Sequence, residues 1–351
     1  MISYSINPYR IFEPDLDFEK HALEVFRFQA TYNAVYAEFL NTLKINPDKI
    51  KAISEIPFLP IQLFKSLKII SIPETRNLPP SSILSKDYGG QRKPETIFRS
   101  SGTTGTEKSK HHVQDLNLYE KSFLQAFEFF YGNIEQICLL AVLPSYSEQQ
   151  DSSLIFMTEK LIRKTKHELS GFYHKDFEKL DDVIRKLIQQ RQKFILLGVT
   201  YSLLDFAEWL NAPLEGISKY GIIMETGGMK GRRREMVRKE VHDILKSKFG
   251  VNQIHSEYGM TELLSQAYSK GNGIFRSPPW MRVFISDIND RRQLLENGKT
   301  GGINIVDLAN IYSCSFIATE DLGRKNEDGS FIVLGRYDNS DMRGCNLILD
   351  S

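Results

Sequence analysis

Ser100-Ser101-Gly102-Thr103-Thr104-Gly105, continued by Thr106-Glu107-Lys108, is the stretch on which the reading of this 351-residue chain turns. Glycines let backbone N–H groups converge on an anion and allow its close approach. The hydroxyls of Thr103, Thr104 and Thr106 add donors, and Lys108 adds a positive charge within reach. A short strand predicted over 95–99 leads directly into the stretch. Six such residues in a row, after a strand and before a lysine, favour phosphate contact over an ordinary surface loop. The stretch is not of the G-x-x-x-x-G-K-[ST] kind, because Gly102 and Gly105 are too close and no glycine precedes Lys108.

Outward from that loop the pattern alternates. Helices are predicted over 17–43, from Leu23, Phe26, Ala30, Ala34, Ala37 and Leu40, and over 116–131, with Asn117 and Glu120 as a capping-box-like start. Further helices are expected at 176–190, 202–210 and 230–249. Apolar runs at 137–143, 193–199 and 221–224 read as buried strands, with a short strand at 251–255. Strands alternating with helices predict an α/β fold with a largely parallel sheet. From 281 the character changes to short strands, at 282–288, 302–307, 314–319 and 330–334, separated by Gly and Asn turns. The expected organisation is one large domain over 1–334, with an α/β portion at 1–280 and a β-rich subdomain at 281–334. A short tail over 335–351 carries Cys345.

Composition narrows the class. Hydrophobic residues make up 41% of the chain, enough for a sizeable core, and the net charge of +1 gives no general reason to bind nucleic acid. Arg232, Arg233 and Arg234 share their segment with Glu235, Glu240 and Asp243, so they read as a solvated face or a partner surface rather than a nucleic-acid patch. Three cysteines, Cys138, Cys314 and Cys345, form no even framework. With no signal-like N-terminus and no apolar run near the roughly 20 residues of a membrane span, a cytoplasmic location with reduced thiols is expected.

Three further segments suit a nucleotide. In Tyr258-Gly259-Met260-Thr261-Glu262 a ring can stack on a base, a hydroxyl can reach an α-phosphate and a carboxylate can hold Mg²⁺. In Thr319-Glu320-Asp321-Leu322-Gly323 an aspartate at a strand end can accept both ribose hydroxyls, or be a solvated turn acid. Gly335-Arg336-Tyr337-Asp338 follows, then Asp341-Met342-Arg343-Gly344-Cys345. His111 and His112 either orient a substrate carboxylate or are polar strand-end residues. His255 precedes the Tyr258 turn as a candidate pocket residue. Gly227 and Gly228 follow a strand, at the end where ligands collect.

Taken in order, SSGTTGTEK, SEYGMTE, TEDLG and LGRYD resemble the adenylate-forming superfamily of acyl-CoA synthetases, peptide-synthetase adenylation domains and luciferases. Glu107 and Ser109 stand where that superfamily's first motif has proline and glycine. The closer resemblance is to acyl-protein synthetases of the LuxE family, related to phenylacetate–CoA ligases. It rests on Leu143-Pro144-Ser145-Tyr146 with Asp151-Ser152-Ser153-Leu154, and on the run from Ser340 to Cys345.

The resemblance implies an adenylate-forming large domain, with the usual mobile C-terminal domain absent or vestigial. It implies ATP and Mg²⁺ as cofactors and a carboxylic acid, fatty in the LuxE family, as substrate. Ser101, Gly102, Thr103, Thr104, Gly105 and Lys108 would hold the triphosphate. Tyr258, Gly259 and Gly228 would lie against the adenine, Thr261 at the α-phosphate, Glu262 at the metal, and Asp321 with Arg336 at the ribose. His111, His112, Ser145, Tyr146, His255 and Arg343 are substrate or acceptor candidates, and Cys345 the acyl acceptor. A LuxC-like acyl reductase or an acyl carrier is the partner implied; a homo-oligomer is left open. Two other readings stand beside it: an acid–CoA ligase of the phenylacetate type, and a non-catalytic nucleotide-binding or scaffold protein.

Overall fold

The chain is described by a computed structural model over residues 6–71, 94–100, 107–144, 149–227 and 236–337. These residues fall into two units, one drawn from 1–94, 112–114 and 279–351, the other from 95–111 and 115–278.

In the first unit the predicted 17–43 helix is two helices, α1 (Phe18–Tyr32) and α2 (Ala34–Thr42). The break is Asn33, whose backbone is extended at φ −108 and ψ 104. Its N–H closes α1 on the Gln29 carbonyl at 2.9 Å, and its Oδ1 caps α2 by accepting from Tyr36 N–H at 3.0 Å. Its Nδ2 donates to the Ser313 carbonyl at 2.7 Å. Gln29 is equally buried, and its Nε2 donates to the Asn310 and Ile311 carbonyls at 3.0 Å each. The apolar period runs through Asn33 unbroken, so periodicity alone joins the helices. A buried polar group that must be satisfied separates them.

The short helix α3 (Leu63–Ser66) follows β1 (Leu59–Pro60). Strand β1 pairs in parallel with β13 (Phe316–Lys325). β11 (Met281–Ser286), β12 (Thr300–Asp307), β13 and β14 (Phe331–Arg336) form an antiparallel meander. Phe26, Tyr36 and Phe316 meet at the core, with ring centroids 6.0–6.1 Å apart. The Thr319–Gly323 segment lies inside β13, not in a turn at a strand end. Register shifts at Gly302/Asn304 and Leu322/Gly323 break the ladder on either side of it.

The second unit is built on parallel strands. β4 (Cys138–Val142), β5 (Gly171–Phe172), β6 (Phe194–Val199), β7 (Gly221–Thr226) and β8 (His255–Tyr258) pair in the order β5-β4-β6-β7-β8. Every residue of β4 and β6 is buried, as continuous apolar runs covered on both faces require. Antiparallel β9 (Ala267–Ser269) and β10 (Ile274–Arg276) extend the sheet. The helices of this unit are α4 (Leu116–Tyr131), α5 (Ser153–Thr165), α6 (Phe177–Gln189), α7 (Thr200–Trp209), α8 (Ile217–Tyr220) and α9 (Arg238–Phe249). Asp115, not Asn117, caps α4, with its side chain accepting Leu118 N–H at 2.9 Å. Glu120 instead pairs with Lys160 at 2.7 Å. Helix α9 begins eight residues later than the predicted 230–249.

Apart from these lie β2 (Thr96–Arg99) and β3 (Lys110–Val113), a two-stranded sheet. Among the described residues no helix is long and apolar enough to cross a membrane.

Candidate functional site

The carboxyl ends of β6, β7 and β8 lie side by side, and each carries polar chemistry. This is where open parallel sheets bind ligands. Tyr258 is the last residue of β8, because the strand runs over His255–Tyr258 rather than 251–255. Its ring is buried beside Phe275, with centroids 5.8 Å apart. The chain then turns through Gly259, Met260 and Thr261, closed by Leu263 N–H on the Met260 carbonyl at 3.1 Å, and Glu262 is buried.

Two buried carboxyls frame that turn. Glu257 on β8 stands opposite Thr226 on β7, whose hydroxyl donates to Glu257 Oε2 in a short hydrogen bond. A Cβ at Gly259 would collide with Glu257 Oε1, so glycine lets the carboxyl fold under the turn. Burial first, and then the Glu225 charge, push the Glu257 carboxyl up to about 7, while Thr226 acts the other way.

Glu225 has the opposite character. Thr200 Oγ1 lies 3.1 Å from Glu225 Oε2 and from the Gly227 carbonyl. Arg238 Nε and His242 Nε2 each stand 3.4 Å from Glu225 Oε1. Burial acts to raise this carboxyl, but His242, Arg238 and Ser256 outweigh it and hold it below its ordinary value. Glu225 thus ties the end of β7 to the start of α9. Gly227 leaves β7 at φ +70, a left-handed conformation that glycine adopts without strain.

The Ser/Gly/Thr stretch is approached from both sides. Ser100 N–H donates to the Ser109 carbonyl at 3.1 Å, and Ser109 N–H donates to Ser100 Oγ at 3.0 Å, closing its stem. Lys108 beyond the stem is exposed. His111 is 1% exposed, and its Nδ1 lies 2.8 Å from the Thr261 carbonyl. A carbonyl only accepts, so in this bond Nδ1 carries the proton. His111 therefore joins the segment after the stretch to the Tyr258–Glu262 turn. His112, next along β3, points to the other side.

His255 lies 3.2 Å from the Tyr131 hydroxyl through Nδ1. Burial, with Lys270 adding to it, lowers its pKa to about 4, so the imidazole is neutral at pH 7.

In the first unit Asp321 and Arg336 are register partners across β13 and β14, with Oδ1 and Nε 3.5 Å apart. The Arg336 side chain is 73% exposed, so the pair itself adds little to stability. It leaves a nearly buried carboxylate beside an exposed cation. Tyr337 N–H donates to the Glu320 carbonyl at 3.0 Å.

Ser101, Gly102, Thr103, Thr104, Gly105, Ser145, Tyr146, Gly228, Arg343 and Cys345 lie outside the described residues. Within the second unit the structure brings together His111, Tyr258, Gly259, Thr261 and Glu262, while Lys108 is exposed next to Ser109. It adds Glu225, Glu257, Thr200, Arg238 and His242, for which periodicity carries no signal. Acid residues ending two neighbouring buried strands were the available clue. Cys138 and Cys314 are buried, and burial pushes their thiols up to about 11 and about 12.

Among the described residues no three His, Cys, Asp or Glu side chains cluster as metal ligands. Mg²⁺ commonly takes one or two carboxylates together with substrate phosphates and water, so Glu262 alone suits that role.

The α/β fold is that of the adenylate-forming ligases. No family model and no curated protein matches the chain. Among solved structures it is similar to ATP-bound MatB from Rhodopseudomonas palustris, with TM-score 0.51 and 17% identity over 70% of this chain and 49% of that one. It is also similar to FadD1, a long-chain-fatty-acid–CoA ligase from Archaeoglobus fulgidus, with TM-score 0.51 and 17% identity over 73% of this chain and 56% of that one. The chain spans about half the length of the structures it matches. At this identity the likeness establishes the fold.

Proposed function

We propose that the chain activates a carboxylic acid as its acyl-adenylate, consuming ATP. The observation that carries this reading is the buried bond from His111 to the Thr261 carbonyl. It couples the segment leaving the Ser/Gly/Thr stretch to the turn bearing Thr261 and Glu262, which supports assigning the two motifs to one nucleotide site.

A carboxylate is a poor acyl donor because it is negative and oxide is a poor leaving group. Its attack on the α-phosphorus of ATP forms a carboxylate–phosphorus bond and expels pyrophosphate. Ser101 to Gly105 and Lys108 hold the triphosphate, and Thr261 donates to the α-phosphate. Glu262 holds Mg²⁺, which when bound neutralises charge on the phosphates. Tyr258 and Gly228 flank the adenine, while Asp321 and Arg336 take the ribose. Removing one preorganised donor costs about 10²–10³ in rate. Thr104→Ala and Glu262→Ala are therefore expected to depress acid-dependent ATP–pyrophosphate exchange by that factor. Near-normal exchange in both variants sinks the assignment.

The acyl group then passes to the Cys345 thiolate, which displaces AMP and forms a thioester, for delivery to an acyl reductase or carrier partner. The resemblance to acyl-protein synthetases and the position of Arg343 two residues away support this step. The substrate is a fatty acid on the same ground. Labelled acid with ATP is expected to mark the protein through a hydroxylamine-sensitive bond that Cys345→Ser abolishes.

The similarity to FadD1 favours a second reading, an acid–CoA ligase. Free CoA consumed in the same assay, with no protein label, selects it. Absence of both ATP binding and exchange selects the non-catalytic reading.

A further inference from the structure

Arg291 belongs to no motif. It sits in the connection between β11 and β12, where the Asp287 carboxylate accepts the N–H groups of Asn289 and Asp290 at 2.7 and 3.1 Å. Its guanidinium turns inward. Nη2 lies 3.0 Å from the Ile303 carbonyl, 2.6 Å from Asn304 Oδ1 and 3.3 Å from the Thr319 carbonyl. One group thus touches β12 twice and β13 once, where the register between those strands shifts past Gly302. A Cβ at Gly302 would overlap the guanidinium, so the glycine opens the way in. The Tyr337 ring lies over it, with its centroid 6.0 Å from Cζ.

The same carbonyl and strand lead to Asp321. Thr319 Oγ1 donates to the Ile303 carbonyl at 2.8 Å and accepts Asp321 N–H at 3.1 Å. Arg291 and Thr319 therefore share one acceptor, and the Asp321 backbone hangs from the Thr319 hydroxyl. Burial disfavours the charged form of Arg291. A well-packed apolar side chain of similar length would avoid that desolvation, so packing alone does not account for arginine. A planar fork with fixed donors is suited to holding acceptors on two strands in one geometry, which a lysine ammonium is not.

We propose that Arg291 is a positioning residue for the nucleotide: it braces the β12 bulge and Thr319, and so fixes the direction in which Asp321 presents its carboxylate to the ribose hydroxyls. This role rests on the assignment of Asp321 to the ribose. The two therefore need separate readouts.

The brace is tested without nucleotide, by amide hydrogen exchange of the wild-type chain, Arg291→Met and Arg291→Lys. Exchange across 317–323 is expected to quicken about tenfold in Arg291→Met relative to β6 in the same molecule. An unchanged rate there overturns the brace. Should Arg291→Met fail to fold, Arg291→Lys carries both measurements. Ribose positioning is tested by calorimetric titration with ATP and 2′,3′-dideoxy-ATP. Wild type is expected to prefer ATP, and both variants to lose about fivefold of that preference, with dideoxy-ATP affinity changing less than about twofold. A preference retained in both variants overturns the positioning role even if the strand loosens. A wild type that binds both nucleotides equally, or neither, removes the ribose assignment and this role with it. In that case the exchange data still decide whether the brace exists.

Discussion

Replacing Glu257 with glutamine tests the buried carboxyl at the heart of the second unit. The folded carboxyl titrates at about 7, against 4.5 for a free one. The folded state thus holds the proton more tightly. The stability this contributes is full below pH 4.5 and is lost as pH rises through 7. With about 1.4 kcal/mol for each unit of pKa difference, wild type is expected to lose about 2–3 kcal/mol relative to Glu257→Gln between pH 5 and pH 8. Glutamine keeps the shape and still accepts the Thr226 hydroxyl, so subtracting the variant cancels the titration of every other group to first order. The titratable groups facing Glu257 are Glu225, held below its ordinary value, and Tyr131 and Tyr268, both held well above theirs, so none of the three changes charge in the folded protein between pH 5 and pH 8. The assay is urea unfolding in a Trp280→Phe background, which leaves Trp209 of the second unit as the fluorescent reporter. A wild-type-minus-variant difference that stays constant within about 0.5 kcal/mol from pH 5 to 8 would falsify the raised carboxyl.

Asn33→Ala removes the cap of α2 and leaves the Ser313 carbonyl without its Asn33 donor, a combined cost of about 2–4 kcal/mol in urea unfolding; a loss below about 0.5 kcal/mol contradicts the account of the helix break. Gly259→Ala drives its Cβ into the Glu257 carboxyl and is expected to cost about 1–3 kcal/mol. The double variant with Glu257→Ala should fall well short of the sum, and strict additivity argues that the collision is not the cause. With thiols pushed up to about 11 and about 12, Cys138 and Cys314 should resist iodoacetamide at pH 8 until the chain is unfolded; rapid alkylation of either in the native protein counts against its burial.

The parallel strands of the second unit were legible because their environment is uniform. β4 and β6 are apolar at every buried position, so their runs stand out from the sequence. Helix α4 was found over its observed span for a similar reason, since its apolar face is regular. Legibility failed where polar groups are buried. Strand β8 reads His-Ser-Glu-Tyr, and it is a strand because Glu257 and Ser256 find partners across the sheet, which no hydropathy pattern records. The short β9 and β10 and helix α5 went unread. Asp321 looked like a turn residue because acid and glycine flank it, yet the β-bulge beside Gly323 accommodates the same residues within a strand. The candidate residues divide similarly. Motif order singled out Tyr258, Thr261, Glu262, Asp321 and Arg336, and His111 was a candidate beside the loop, but its bond to the Thr261 carbonyl and the parts played by Glu257, Glu225 and Arg291 become visible only once strands are placed together.

The way Gln29 and Asn33 are satisfied reaches into the synthesis of the chain. Their partners are the backbone of residues 310–315, some 280 positions later. Helices α1 and α2 therefore leave the ribosome some 280 residues ahead of the segment that completes their core. Phe26 and Tyr36, destined to meet Phe316, wait exposed while all of 95–278 is made. That intervening stretch has its own sheet and core and can condense first. Contacts of such long separation fold slowly and leave apolar surface open to aggregation. The first unit is accordingly the one whose core waits on the more distant contacts.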